Sequence, residues 1–203
     1  GTFVAESQAK IKENVNLPVG YFIQWGGQFE LQQQANQRLA VVVPVTLLLI
    51  SLMLYISFGS IKNTFLILLN IPLALVGGVV ALWLSGQNLS VPASVGFIAL
   101  FGIALENGMV LVTYLNQLLR EGIDINKASI QGAMRRLRPV LMTALTTALG
   151  LIPLLLSHGT GSEVQKPLAT VVIGGLSTST ILTLLVIPAL YKWFAIKIQD
   201  GEL

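Results

Sequence analysis

Glu106 is the residue whose type and setting most directly offer chemistry. No charged side chain occurs from Asn63 to Leu105, and none from Asn107 to Leu119. Placing a carboxylate at the centre of a bilayer costs at least about 2.5 kcal/mol. Such a cost is tolerated where protons, ions or substrate must pass, because a carboxyl binds and releases a proton where a glutamine amide cannot. Asn107 lies about 100° further around a helix and is a second candidate, able to hydrogen-bond a neighbouring helix or to join a relay. Thr143, Thr146, Thr147 and Gly150 follow i, i+3, i+4 and i+7, which gives one helix a small, hydroxylated stripe. Hydroxyls there can satisfy backbone carbonyls, bridge helices or hold water for proton passage.

Other side chains carry less. His158 is the only histidine, and one His with Glu163 five residues away does not make a metal site. The four methionines (53, 109, 134 and 142) are scattered, whereas thioether ligands for Cu(I) or Ag(I) would cluster; this leans toward borderline divalent ions. Ser177, Thr178, Ser179, Thr180 and Thr183 read as packing groups beside Gly174 and Gly175. No nucleophile–base pair is visible, so no catalytic site, resident metal or cofactor is expected. The chain has no cysteine, which removes disulfides and thiolate chemistry together.

These residues must be positioned by membrane helices. With 54% hydrophobic and 10% charged residues and a mean hydropathy of +0.77, the chain departs from soluble domains, in which charged residues run near ~25%. A spanning helix needs about 20 apolar residues, and five segments qualify: 39–61, 63–84, 92–119 (with Glu106), 139–157 and 167–191. Gly102 and Ala99, one and two turns before Glu106, would let another helix approach closely, so the carboxyl is expected at a helix interface. Gly102, Gly150, Gly174 and Gly175 are the expected packing glycines. Prolines 44, 72, 153 and 188 should kink their spans.

Residues 124–138 form one amphipathic stretch, with Ile130, Met134 and Leu137 on one face and Arg135, Arg136 and Arg138 around it. An interfacial helix is expected there, capped by Asp124 or Asn126, with the arginines binding lipid phosphates and fixing topology. Lys62, Arg120, Lys127, these three arginines, Lys192 and Lys197 fall on one side of the spans, against Lys10, Lys12, Arg38 and Lys166 on the other. The positive-inside rule then puts the 120–138 loop and the 192–203 tail in the cytoplasm and residues 1–38 outside it. Within 1–38, a helix end at Ala5–Asn14, a strand at Tyr21–Trp25, the pair Gly26-Gly27 and a polar lead-in helix read as the tail of an extracytoplasmic α+β domain. The expected fold is therefore an all-α bundle of five transmembrane helices with an interfacial helix and that remnant. There is no basic face with interleaved aromatics, so nucleic acid is not an expected partner.

Several motifs converge on a family. Arg136-Leu137-Arg138-Pro139-Val140-Leu141-Met142-Thr143 leads into Gly150-Leu151-Ile152-Pro153. Gly159-Thr160-Gly161-Ser162-Glu163, Gly174-Gly175 and Ile187-Pro188-Ala189-Leu190-Tyr191 follow, and Gly96-Phe97-Ile98-Ala99-Leu100-Phe101-Gly102 precedes Glu106. Together they resemble the C-terminal half of resistance-nodulation-division (RND) efflux pumps, the heavy-metal branch best. The resemblance implies a proton-driven antiporter of twelve spans per protomer, trimeric, docked to a periplasmic adaptor and an outer-membrane channel. On that reading the chain holds spans eight to twelve, and the paired aspartates that bind the proton lie in the remaining N-terminal half. The resemblance also implies an acid at the position of Glu106 in some metal pumps, where drug exporters carry lysine, and a relay threonine at Thr143. Some copper and silver pumps have lysine where this chain has Val140, so a Glu–Lys pair within this chain is impossible. The expected cargo is a metal cation. Drug export, protein translocation by a related fold, and an inert bundle with Glu106 as packing glue are the competing readings.

Overall fold

The computed structural model describes residues 2–15, 18, 20, 23 and 28–194. Seven helices follow in order: α1 Thr2–Asn14, α2 Gln28–Phe58, α3 Ile61–Leu68, α4 Asn70–Leu84, α5 Val91–Arg120, α6 Ile125–Leu155 and α7 Ser162–Phe194. The described residues contain no strand. The strand expected at 21–25 and the glycine pair after it lie, apart from residue 23, outside the described residues, as does the tail from 195 onward. The chain divides into two compact units, residues 1–45 and 46–203. The first holds α1, with an ion pair between Lys10 Nζ and Glu6 Oε1 at 3.1 Å, and the polar start of α2.

The second unit is the bundle. Five helical stretches are long and apolar enough to cross a membrane: Gln33–Phe58, Ile61–Leu84, Val91–Arg120, Ile125–Leu155 and Ser162–Phe194. Their ends follow the local sequence. Ser60 and Ser90, both extended, accept hydrogen bonds from the N–H groups of Asn63 and Ala93, which satisfies donors that a first helical turn leaves free. Asp124 Oδ2 caps α6 by accepting from the Asn126 N–H at 3.1 Å. At the far end of α5, Gly122 takes φ +80° while the N–H of Ile123 returns to the Leu118 carbonyl, a closure that favours glycine.

The span expected as 63–84 corresponds to the stretch Ile61–Leu84, interrupted at Leu69 between α3 and α4. Pro72 has no N–H to give the Leu68 carbonyl and its ring crowds that oxygen, which accounts for the break. Pro44, Pro153 and Pro188 leave α2, α6 and α7 continuous. The interfacial helix expected at 124–138 and the span expected at 139–157 are one helix, α6, which runs through Pro139. A proline forfeits one bond of the ladder, and the turns on either side still propagate. The packed face of the 124–138 stretch is Ala128, Ser129 and Gly132, while Ile130 and Met134 are exposed. Small residues there leave room for side chains of α5: a Cβ on Gly132 would collide with the side chain of Leu115. Arg136 lies over the Tyr114 ring, 5.0 Å from its centroid.

α7 is the central helix and packs against α4, α5 and α6. One apolar cluster joins Leu66, Ile67, Leu111, Val112, Leu115, Ile187 and Tyr191. A second joins Ala74, Leu82, Phe97, Leu100, Val171 and Leu176. α5 and α7 run in the same direction, with Gly96 against Leu168 and Leu100 against Gly175, whereas α4 runs opposite, with Gly78 against Phe97. α2 and α6 are largely uncovered along their apolar lengths.

Candidate coupling site around Glu106

The side chains of α5 sort into two faces. Ala93, Gly96, Phe97, Leu100, Ala104, Asn107, Gly108, Leu111 and Leu115 are buried. Val95, Ala99, Gly102, Glu106, Met109, Thr113 and Gln117 are exposed, and at steps of three or four residues they form one stripe. Glu106 therefore stands on a face that no other described helix covers. The close approach expected at Ala99 and Gly102 is not made here: a Cβ on Gly102 would meet nothing within 4 Å. The surface is small and open around a carboxyl at membrane depth.

Asn107 turns the other way. It is 8% exposed, and its Nδ2 has no hydrogen-bond partner among the described residues. No hydrogen bond or ion pair joins Glu106 to Asn107 or Thr143 among the described residues. Thr143 is exposed on α6 and donates to the Pro139 carbonyl at 2.9 Å, the usual back-bond of a helical threonine to the residue one turn before it. Thr146 is exposed, Thr147 half-buried, and Gly150 has nothing within 4 Å of a Cβ. α5 and α6 pair antiparallel with Gly132 against Leu115, so at equal rise per residue Thr143 lies near the height of Ala104 and Glu106. The hydroxylated stripe and the carboxyl thus share a depth without touching.

Gly174 and Gly175 sit at the tightest contact of the bundle, facing Ala81, Gly77 and Leu100. Arg135 and Arg138 are exposed and Arg136 half-buried against Tyr114. His158 is exposed in the α6–α7 connection, and the described residues contain no group of three or more His, Cys, Asp or Glu that could hold a metal ion.

Two polar features were not anticipated. Asn70, at the start of α4, is 1% exposed and accepts a hydrogen bond at Oδ1 from the Thr183 hydroxyl of α7 at 3.1 Å. A search for charge passes over it, although an amide inside an apolar span is itself a signal. The second is a cavity of about 290 Å³ at the end of α5, lined by Ser57, Phe58, Thr113, Asn116, Gln117 and Arg120. Tyr191 of α7, fully buried, donates its hydroxyl to Asn116 Oδ1 at its edge.

Comparison with known proteins places this arrangement. Residues 1–195 match the AcrB/AcrD/AcrF family. The chain is 50% identical over 202 residues to the cobalt-zinc-cadmium resistance protein CzcA of Cupriavidus metallidurans, covering 100% of this chain and 19% of that protein. It is 52% identical over 190 residues to the nickel and cobalt resistance protein CnrA of the same organism, covering 94% and 18%. The cation efflux system protein CusA of Escherichia coli is 40% identical over 200 residues, 93% and 19%. A crystal structure of a heavy metal efflux pump superposes with a TM-score of 0.80 at 49% identity, covering 95% of this chain and 19% of that one. The chain spans about a fifth of the length of these relatives. The expectation that it is the C-terminal half of such a pump, holding spans eight to twelve, is thereby corrected: the matched length is a fifth and not a half. With a family match across nearly its whole length and relatives named for metal efflux, the chain belongs to the AcrB/AcrD/AcrF family of RND efflux transporters.

Proposed function

We propose that this chain is a membrane segment of a proton-driven exporter of divalent transition-metal cations, with Glu106 as a coupling carboxyl. The observation that carries this is the setting of Glu106. It is the only charged side chain between Lys62 and Arg120, and it stands with Ala99 and Gly102 on the uncovered face of α5. A carboxyl kept for packing would be turned into the bundle and hydrogen-bonded. One kept for proton exchange needs to face groups that the rest of the transporter supplies. Thr143 and Asn107, at the same depth, are the accessory members. The divalent class rests on the scattered methionines and on relatives named for cobalt, zinc, cadmium and nickel.

The remaining reading follows from the family resemblance. The exporter sits in the bacterial inner membrane as a homotrimer, with residues 1–38 periplasmic and the α5–α6 connection and C-terminus cytoplasmic. It hands its cargo to a periplasmic adaptor and an outer-membrane channel, and Arg135, Arg136 and Arg138 sit against lipid phosphates at the cytoplasmic surface.

The test uses the full-length parent in metal-sensitive cells, with wild type and Glu106→Gln compared at matched abundance across zinc, cobalt, cadmium, nickel, copper and silver. Wild type is expected to confer tolerance to the divalent ions, and Glu106→Gln to lose it. Full tolerance with Gln would reduce Glu106 to a packing group. No tolerance from wild type to any ion would overturn the metal assignment.

A further inference from the structure

Three helices meet at one height behind Glu106. Asn70 is the first residue of α4, Gly108 lies two residues beyond Glu106 on α5, and Thr183 is on α7. Asn70 and Thr183 are 1% and 0% exposed. The amide nitrogen of Asn70 lies so close to Gly108 that a Cβ there would collide with it. Its amide oxygen accepts from Thr183 at 3.1 Å, while the nitrogen has no hydrogen-bond partner among the described residues. The one hydrogen bond therefore selects which way the amide faces, and the amide so oriented fills the notch at Gly108. Two residues of an α-helix subtend about 200°, so the notch and Glu106 are on opposite sides of α5.

We infer that Asn70, held by Thr183 and seated against Gly108, is a positioning residue that sets the rotation of α5 about its axis and so keeps Glu106 turned to the uncovered face. This rests on the reading of Glu106 as the coupling carboxyl. Apolar ridges let a helix slide or roll at little cost, whereas a polar wedge in a glycine notch has one seat. A hydrogen bond inside a membrane bundle has few competitors for its partners. The break at Leu69 puts Asn70 at a helix start, where its side chain can turn into the junction. The titratable groups on the packed helices lie away from this junction: α4 contains none, α3 has only Lys62 near its start, α5 has besides Glu106 only Tyr114 and Arg120 beyond Gly108, α7 has none between Lys166 and Tyr191, and α6 has none after Arg138.

The experiment measures metal-dependent proton flux as a function of pH in proteoliposomes of the full-length parent carrying Thr183→Val, which keeps the side chain's shape and removes the donor. The expected result is a normally folded trimer whose pH midpoint for transport moves by at least half a unit, with Thr183→Ser restoring the wild-type midpoint. An unchanged midpoint in Thr183→Val would overturn the inference, because packing alone would then hold α5. Should Thr183→Val fail to accumulate, the pair Asn70→Ala with Gly108→Ala, which fills the notch and removes the hydrogen bond, carries the same expectation and the same refutation. Glu106→Gln separates the two readings. If it abolishes coupling while Thr183→Val leaves the midpoint unmoved, only the positioning role fails. If Glu106→Gln transports with the wild-type profile, the coupling reading fails and the inference falls with it.

Discussion

Gly77 of α4 and Gly174 of α7 pack with no room for a side chain on either: a Cβ on Gly77 would lie 2.7 Å from the Gly174 carbonyl oxygen, and one on Gly174 would lie 3.0 Å from that of Gly77. The two backbones meet along a seam that continues through Gly175, whose Cβ would lie 3.0 Å from the Ala74 carbonyl. In lipid, helices gain little by hiding apolar surface from each other, so close backbone approach is what holds them. The seam fixes α7 at the centre, and α7 in turn supports α5, the helix that carries Glu106.

Gly174→Ala is expected to destabilise the bundle by about 1–3 kcal/mol, the usual cost of adding a methyl to a filled contact. The obstacles are the Ala81 Cβ, with which the added methyl would collide, and the Gly77 carbonyl oxygen, neither of which can swing aside. Equilibrium unfolding in mild detergent measures it, and wild-type stability would show that α4 and α7 can separate freely.

Gly102→Ala and Gly150→Ala should change the stability of this chain by less than about 0.5 kcal/mol, because each added Cβ meets open space. The same unfolding assay reports it. A loss comparable with that of Gly174→Ala would mean that these faces are covered by the chain itself.

That contrast marks what the sequence could and could not say. The spans were legible because charge is absent over such long stretches, and the family because Arg136–Thr143, Gly174-Gly175 and Ile187–Tyr191 fall together. All four packing glycines look alike as letters. Only the structure separates Gly174 and Gly175, pressed between helices, from Gly102 and Gly150, which face nothing here. The four expected kinks rest on proline alone, yet of these only Pro72 lies beside an interruption of its helix, since a proline's effect depends on whether the turns beside it are otherwise held. The amphipathic 124–138 stretch was read by its apolar side chains, whereas its contact is made by Ala128, Ser129 and Gly132. Asn70 is not legible from charge, because its amide is neutral, and its partner Thr183 lies over a hundred residues away.

Tyr191→Phe removes the donor to Asn116 and should cost about 0.5–1.5 kcal/mol in the same assay, the net worth of an ordinary hydrogen bond. Asn116 borders the 290 Å³ cavity, so water can replace the lost hydroxyl. A loss well beyond 3 kcal/mol would mean that the cavity is closed to water.

The absence of cysteine makes this segment a clean background for topology mapping. In a parent cleared of any other cysteines, His158→Cys should react with a membrane-impermeant maleimide from the periplasmic side of intact cells. Lys127→Cys should react only after the inner membrane is opened. Both side chains are exposed, and the reverse pattern would invert the orientation taken from the basic residues.

The central claim, that Glu106 couples proton movement to export, is tested most directly by metal-driven proton flux in proteoliposomes of the full-length parent, wild type against Glu106→Gln. Gln keeps the shape and hydrogen-bonding capacity and loses the exchangeable proton. The account predicts that flux falls at least tenfold at equal protein and intact trimer, a loss of about 1.4 kcal/mol or more in transition-state terms. Flux equal to wild type would contradict it and leave Glu106 a bystander on the open face of α5.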